Sequence, residues 1–263
     1  MSAERQSKLP ARIMTALVLP AALIAAWWFT SADSQSFYFP PLSKIVQTFL
    51  TIWLSPDALH NVALSLIRFS LGYLIAVVLG VAIGILVGAS RRLRNTLEPV
   101  LEFLRAIPPP VLVPVLILFA GIGDEMKIVV IVSGCVWPVL LNTVAGVRSL
   151  DGVLEEVVRS YRIGARSRLW HFVLPGASPQ IFAGMRQSLS IGIILMVISE
   201  MFAASNGIGF TLVQYQRSFA IPEMWAGIIM LGIIGILLSL IFRAVEASVL
   251  AWYHGLRQSQ RGT

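Results

Sequence analysis

The sequence predicts an all-α polytopic membrane protein, and three observations carry that expectation. The 263 residues are 57% hydrophobic and only 13% charged, with a mean hydropathy of +0.81, which leaves too little polar surface to coat a soluble globule. Apolar segments of about 20 residues or more, enough to cross a hydrocarbon core of about 30 Å, lie at 12–30, 62–89, 99–121, 127–147, 177–203 and 223–250. The cations between them gather on alternate connections. Six transmembrane helices follow, with one membrane domain over 12–252 between short tails at 1–11 and 253–263.

Taken in order, the first apolar segment has the basic flank of a signal peptide, but the run Ile13 to Phe29 exceeds a signal core and five further spans follow, so it reads as a retained helix. The next connection holds Pro40, Pro41 and the candidate N-cap Ser43, then Ile45, Val46, Phe49, Leu50 and Trp53 on one face, the pattern of an interfacial helix. The second span carries Gly72, Ala76, Gly80, Gly84 and Gly88 at four-residue spacing. Such a small-residue ridge lets another backbone approach closely, within one subunit or between two.

The third span contains Pro108, Pro109, Pro110 and Pro114, which remove backbone donors and kink or break a helix near mid-membrane. Such an interruption belongs in a bundle interior, where other helices or a water-filled path satisfy the freed carbonyls. In the fourth span sits Cys135, the single cysteine, which excludes a disulfide framework or a cysteine metal site.

Charges inside spans are the next signal, because a central Arg costs at least about 2.5–3.5 kcal/mol even on insertion scales. Arg105 is close enough to the inner end to snorkel or to pair with Glu102 at i−3, and Arg243 has Glu246 at i+3. Arg186 has no acid at i±3 or i±4 and needs one from another helix, for which Glu102 is the candidate. Glu200 lies near the far end of the fifth span. Glu102, Arg105, Pro109, Arg186 and Glu200 are therefore the candidate residues of a translocation path or gate.

Between the fourth and fifth spans lies the polar connection Asp151 to Pro175. Leu154, Val157, Val158 and Tyr161 recur there at helical spacing, Asp151 is a candidate N-cap, and Glu155 and Glu156 fall in the first turn, where the helix dipole favours acids. Short helices along the membrane surface result.

The formal charge of +7 would suit nucleic acid, but the cations are placed by the membrane instead. With both termini in the cytoplasm, thirteen of the 20 cations lie inside, among them Arg91, Arg92, Arg94, Arg148, Arg159, Arg162, Arg166 and Arg168, against Lys44, Lys127 and Arg217 outside. No GxxxxGK[ST], HExxH or GxSxG occurs, and His60, His171 and His254 are scattered. The residues offer no nucleotide cradle, no metal centre and no catalytic triad, and no cofactor is expected.

The connection from Glu156 to Pro175 resembles the EAA motif of binding-protein-dependent ABC transporter permeases. Glu156, Val157 and Val158 stand for Glu-Ala-Ala, Arg162 occupies the Gly position with Gly164 two residues later, Phe172 takes the Ile place, and Leu174 and Pro175 close the pattern. Phe39-Pro40-Pro41, Asn61 to Arg68, Arg105 to Pro114, Gly121 to Asp124, Met185-Arg186 and Ser199 to Gly209 resemble the nitrate, sulfonate and taurine branch, which also includes carriers of thiamine-precursor pyrimidines and riboflavin.

The resemblance implies a type I-like importer permease in a bacterial inner membrane. It implies a homodimer with two separate ABC ATPase subunits inside and a periplasmic or lipid-anchored solute-binding protein outside, all embedded in membrane lipid and without nucleic acid. Glu155, Glu156, Val157, Val158, Arg159, Tyr161, Arg162, Gly164, Leu174 and Pro175 would then couple to the ATPase. The rival class, a secondary transporter or channel working without an ATPase, needs deep protonatable groups, for which only Glu102 and Glu200 are available.

Overall fold

The computed structural model describes residues 18–202 and 204–253, and every element among them is helical. It separates into two compact units, 1–59 with 212–230, and 60–211 with 231–263.

In the first unit, α1 (Val18–Ser31) covers part of the first expected span, whose start falls outside the described residues, as do the tails with Arg5, Lys8, Arg257 and Arg261. Helix α2 (Leu42–Thr48) starts two residues earlier than Ser43 would cap it, with Pro41 at the N-cap, and ends in a π turn, Phe49–Trp53. The expected apolar stripe is split: Ile45 and Trp53, with neighbouring Leu42, are buried in protein while Val46 and Leu50 stay exposed. Trp53 is the anchor. Its indole N–H donates to the Glu223 carbonyl at 3.1 Å, its ring meets Tyr215, and a side chain at Gly227 would collide with it. Trp27, Phe39 and Trp225 pack with ring centroids about 6 Å apart.

The second unit is built on α3 (Pro56–Ala89), α6 (Asp124–Arg148) and α9 (Leu174–Phe202). The glycine ridge of α3 packs within the subunit. Ideal side chains on Gly72, Gly80, Gly84 and Gly88 would stand 2.6–2.9 Å from Ile131, Val139, Thr143 and Val147 of α6. The contacts climb both helices together, so α3 and α6 run parallel. Helix α9 runs the other way, with Gly184 against Pro138 and Asn142 and Gly146 against Ala177 and Gln180. Ser188 and Cys135 tie α6 to α9 by hydrogen bonds in both directions, at 2.8 and 3.4 Å.

Parallel α3 and α6 require the chain to return between them, and α4 (Arg91–Ala106) with α5 (Pro109–Ala120) makes that return. Instead of one kinked span over 99–121, the pair is bent by 88°. Ile107, held extended by the proline after it, ends α4, and Pro109 and Pro110 start α5, where a missing N–H costs nothing. Helix α5 is apolar throughout, whereas α4 is sharply two-faced and buries no residue.

After α6 come α7 (Gly152–Ser160) and α8 (Ala165–Arg168), which continues through a second π turn, Leu169–Val173, into α9. α10 (Ile208–Arg217) and α11 (Ile221–Val249) follow. Among the described residues, four helical segments, 56–89, 124–148, 165–202 and 221–249, are long and apolar enough to cross a membrane, and the bent α4–α5 pair makes up to five.

Candidate coupling site

The site begins with a cap. The Asp151 carboxylate accepts the Val153 N–H at 2.8 Å and so starts α7 where the sequence placed it. On the nine-residue helix that follows, Val153, Leu154, Val157 and Tyr161 form one continuous face, and all four are exposed. Polar residues hold the other face. Glu155 accepts from Arg168 of α8 at 2.6 Å and lies 3.6 Å from Arg159.

Arg162, at the position the motif gives to glycine, ends α7 in the left-handed region with φ of 50°. Its N–H donates to the Arg159 carbonyl at 3.0 Å and the Ile163 N–H reaches back to the Val158 carbonyl at 3.1 Å. Those two bonds define a Schellman stop, so the turn expected of Gly is built with Arg, at a backbone cost of about 1 kcal/mol. Gly164, by contrast, is the N-cap of α8 with a negative φ, so its position in the turn does not call for glycine. Beside it lies an open depression of about 750 Å³ lined by Gly164, Ala165, Arg166, Ser167, Trp170 and His171. Leu174 and Pro175 open α9, with Leu174 packed against the cluster of Val147, Val173, Ala177 and Ile181. Arg168, which sequence reasoning left out, is found only through its pairing with Glu155 across the turn. Opposite charges 13 residues apart carry no periodic signal.

The residues expected along a path do not converge. Glu102 pairs with Arg105 at 2.5 Å on exposed α4. Arg186 takes Glu246 of α11 rather than Glu102, because α4 turns away at the proline break while α11 passes beside α9; Glu246 is thereby given to Arg186 and not to Arg243. Pro109 packs against Gly134 of α6.

Glu200 sits in a buried ionic cluster. Its carboxylate accepts from Ser65 at 2.7 and 2.9 Å, from Arg68 at 2.9 Å and from the Gly209 N–H at 3.0 Å. Arg68, itself 3% exposed, also meets Asp124 at 2.8 Å and the Asn206 side chain. Asp124 in turn holds Lys127 at 3.3 Å. The cluster joins the N-terminal half of α3, the first residue of α6 and the last turn of α9, which places it at the end opposite α7.

A core of long apolar helices, with α3 and α6 parallel and α9 antiparallel to them, and a capped α7 presenting an apolar face at one end, is the architecture of a membrane-embedded subunit. The chain belongs to the family of binding-protein-dependent transport system inner membrane components, which matches residues 76–250. It is 32% identical over 241 residues to the taurine transport system permease protein TauC of Escherichia coli (strain K12), covering 89% of this chain and 87% of that one. The nitrate import permease protein NrtB of Synechocystis sp. (strain ATCC 27184 / PCC 6803 / Kazusa) is 27% identical over 247 residues, covering 90% of each. Among solved structures, a chain of the inward-facing MetNI methionine ABC transporter superposes with a TM-score of 0.64 at 19% identity, over 76% of this chain and 98% of that one. The protein is thus an inner-membrane permease subunit of an ABC importer.

Proposed function

We propose that this permease takes its energy from separate ABC ATPase subunits, through the exposed apolar face of α7. One observation carries the reading. Val153, Leu154, Val157 and Tyr161 stand in the open on a helix fixed at both ends by the Asp151 cap and the Arg162 turn, and steadied by the Glu155–Arg168 pair. A rigid lever with an uncovered greasy face suits a cleft in a partner. Glu156 and Arg159 at its rim supply charged contacts, while Val158 lies half-buried beneath.

Two copies of the chain would take two ATPases inside and one solute-binding protein outside, with six spans per copy and both termini in the cytoplasm. The cargo we infer is a small anion of the taurine, sulfonate or nitrate type, after the names of its relatives; a thiamine-precursor pyrimidine or riboflavin-like solute is the alternative cargo for the same machine. The wall of the path would include the groove of about 520 Å³ between α9 and α11, lined by Ser190, Ser239 and Arg243, near the accessible Arg186.

The test is co-purification of the ATPase with Val157→Glu and Tyr161→Glu. Both variants should insert normally and lose the ATPase, and retention of the ATPase at the parental level would refute the reading. Binding of taurine, methanesulfonate, nitrate or hydroxymethylpyrimidine to the cognate solute-binding protein, measured by calorimetry, decides the cargo.

A further inference from the structure

Helix α4, like α7, is two-faced and buries no residue, but it is longer and more heavily charged. It carries Arg91, Arg92, Arg94, Glu98, Glu102 and Arg105 in 16 residues, yet it also presents Leu93, Val100, Phe103 and Leu104, all exposed. At 100° per residue, Leu93, Leu97, Val100, Leu101 and Leu104 fall on one side, and Arg91, Arg94, Glu98, Glu102 and Arg105 on the other. Six charges forbid the hydrocarbon core, and an uncovered row of leucines is out of place in water.

The bend resolves the conflict. Helix α5 is apolar enough for the bilayer, and α4 meets it at 88°, so an α5 that runs across the membrane lays α4 along the surface. The surface is the one bearing α7, because α3 and α6 run parallel and Gly88, next to the end of α3, packs on Val147, next to the end of α6. Charge is uneven along the helix. Glu102 is held by Arg105, and no carboxylate among the described residues pairs with Arg91, Arg92 or Arg94 in the first turn.

We propose that α4 is an in-plane membrane helix, its leucine face sunk among the acyl chains and its Arg91, Arg92 and Arg94 cluster holding the phosphate groups of anionic phospholipid. That the leaflet is the inner one rests on the orientation proposed above; contact with lipid does not. Through the proline hinge at 107–109, the lipid surface then sets the angle at which α5 enters the membrane.

The full chain, with Cys135→Ala and Leu104→Cys labelled with bimane, is placed in nanodiscs of phosphatidylcholine alone or with 30% phosphatidylglycerol. Doxyl groups near the head of the acyl chain should quench the label and aqueous iodide should not. Native mass spectrometry of the unmodified chain should retain phosphatidylglycerol over phosphatidylcholine. Arg91→Gln with Arg92→Gln and Arg94→Gln should cut that preference by at least about fivefold, the effect expected of a single cation at an anionic surface. Quenching by iodide, a disulfide between two copies at position 104, or an undiminished lipid preference in the triple variant would each overturn the proposal. An impermeant thiol reagent on Asn95→Cys in oriented vesicles reports the leaflet separately, so a wrong orientation is distinguished from absent lipid contact.

Discussion

Glu200→Gln is the sharpest probe of the fold. The substitution keeps the shape of a side chain that is fully buried, but it removes the negative charge 2.9 Å from Arg68, which is itself 3% exposed. It also turns an amide N–H₂ toward either the Gly209 N–H or the Ser65 hydroxyl, both of which now donate to the carboxylate. Stranding one partner of a buried pair costs about 3–5 kcal/mol, and Asp124, 2.8 Å from Arg68 and half-exposed, keeps the loss near the lower end, at about 3 kcal/mol. For a chain of this length that corresponds to a fall of roughly 6–12 °C in Tm. The single cysteine supplies the assay. Cys135 is fully buried between α6 and α9, so a thiol-reactive fluorophore added during a thermal ramp reports the opening of the core. Ser65→Ala should lose about 1–2 kcal/mol, since it deprives Glu200 of a donor and the Ile208 N–H of its acceptor. Asp124→Asn should lose less than Glu200→Gln, about 1–2 kcal/mol, because its carboxylate is more than half exposed although the Arg68 and Lys127 side chains that it holds are buried. If Glu200→Gln melts within about 2 °C of the parent, or if Asp124→Asn proves the more damaging, the cluster does not hold the helix ends as described.

Further outcomes follow from the same packing arguments. Gly84→Val places methyl groups where Thr143 already stands 2.6 Å from an ideal Cβ, so it should lower the cysteine-reported melting point by at least the equivalent of about 1–3 kcal/mol. At the turn that ends α7, Arg162→Gly should slow hydrogen exchange across 157–164 by relieving about 1 kcal/mol of left-handed strain, and Arg162→Val should speed it. A double-mutant cycle on Glu155→Ala and Arg168→Ala, read by the same exchange, should give a coupling below about 1 kcal/mol, as both side chains are more than a third exposed. Arg186→Ala should be rescued in stability, though not in transport, by adding Glu246→Ala, with melting and uptake measured on each variant.

The long apolar helices were legible because a bilayer demands them. Their hydropathy located α3, α6, α9 and α11 to within a few residues, except that α3 begins at Pro56 rather than 62. The Asp151 cap was equally legible, since a short acceptor before an amphipathic run has one use there. The α4–α5 corner was harder. Prolines predict an interruption, but the angle depends on what lies on either side, and only the polarity of 91–106 betrays that the first half leaves the core. The glycine ridge named a close approach without naming its partner, which α6 supplies. Long-range ion pairs lay beyond reach: Arg68 with Glu200, Arg186 with Glu246 and Glu155 with Arg168 are set by which helices become neighbours, a fact no local spacing encodes. Arg162 hid its role because glycine is the residue expected in a left-handed stop.

The claim that energy enters through α7 is tested most directly by uptake into proteoliposomes containing the permease, a taurine-loaded solute-binding protein and ATP on the α7 side, with and without the ATPase subunit. Accumulation of radiolabelled taurine, or of whichever anion the binding protein selects, should occur only with the ATPase present and should vanish in Tyr161→Glu. Equal accumulation by the permease without its ATPase would contradict the account.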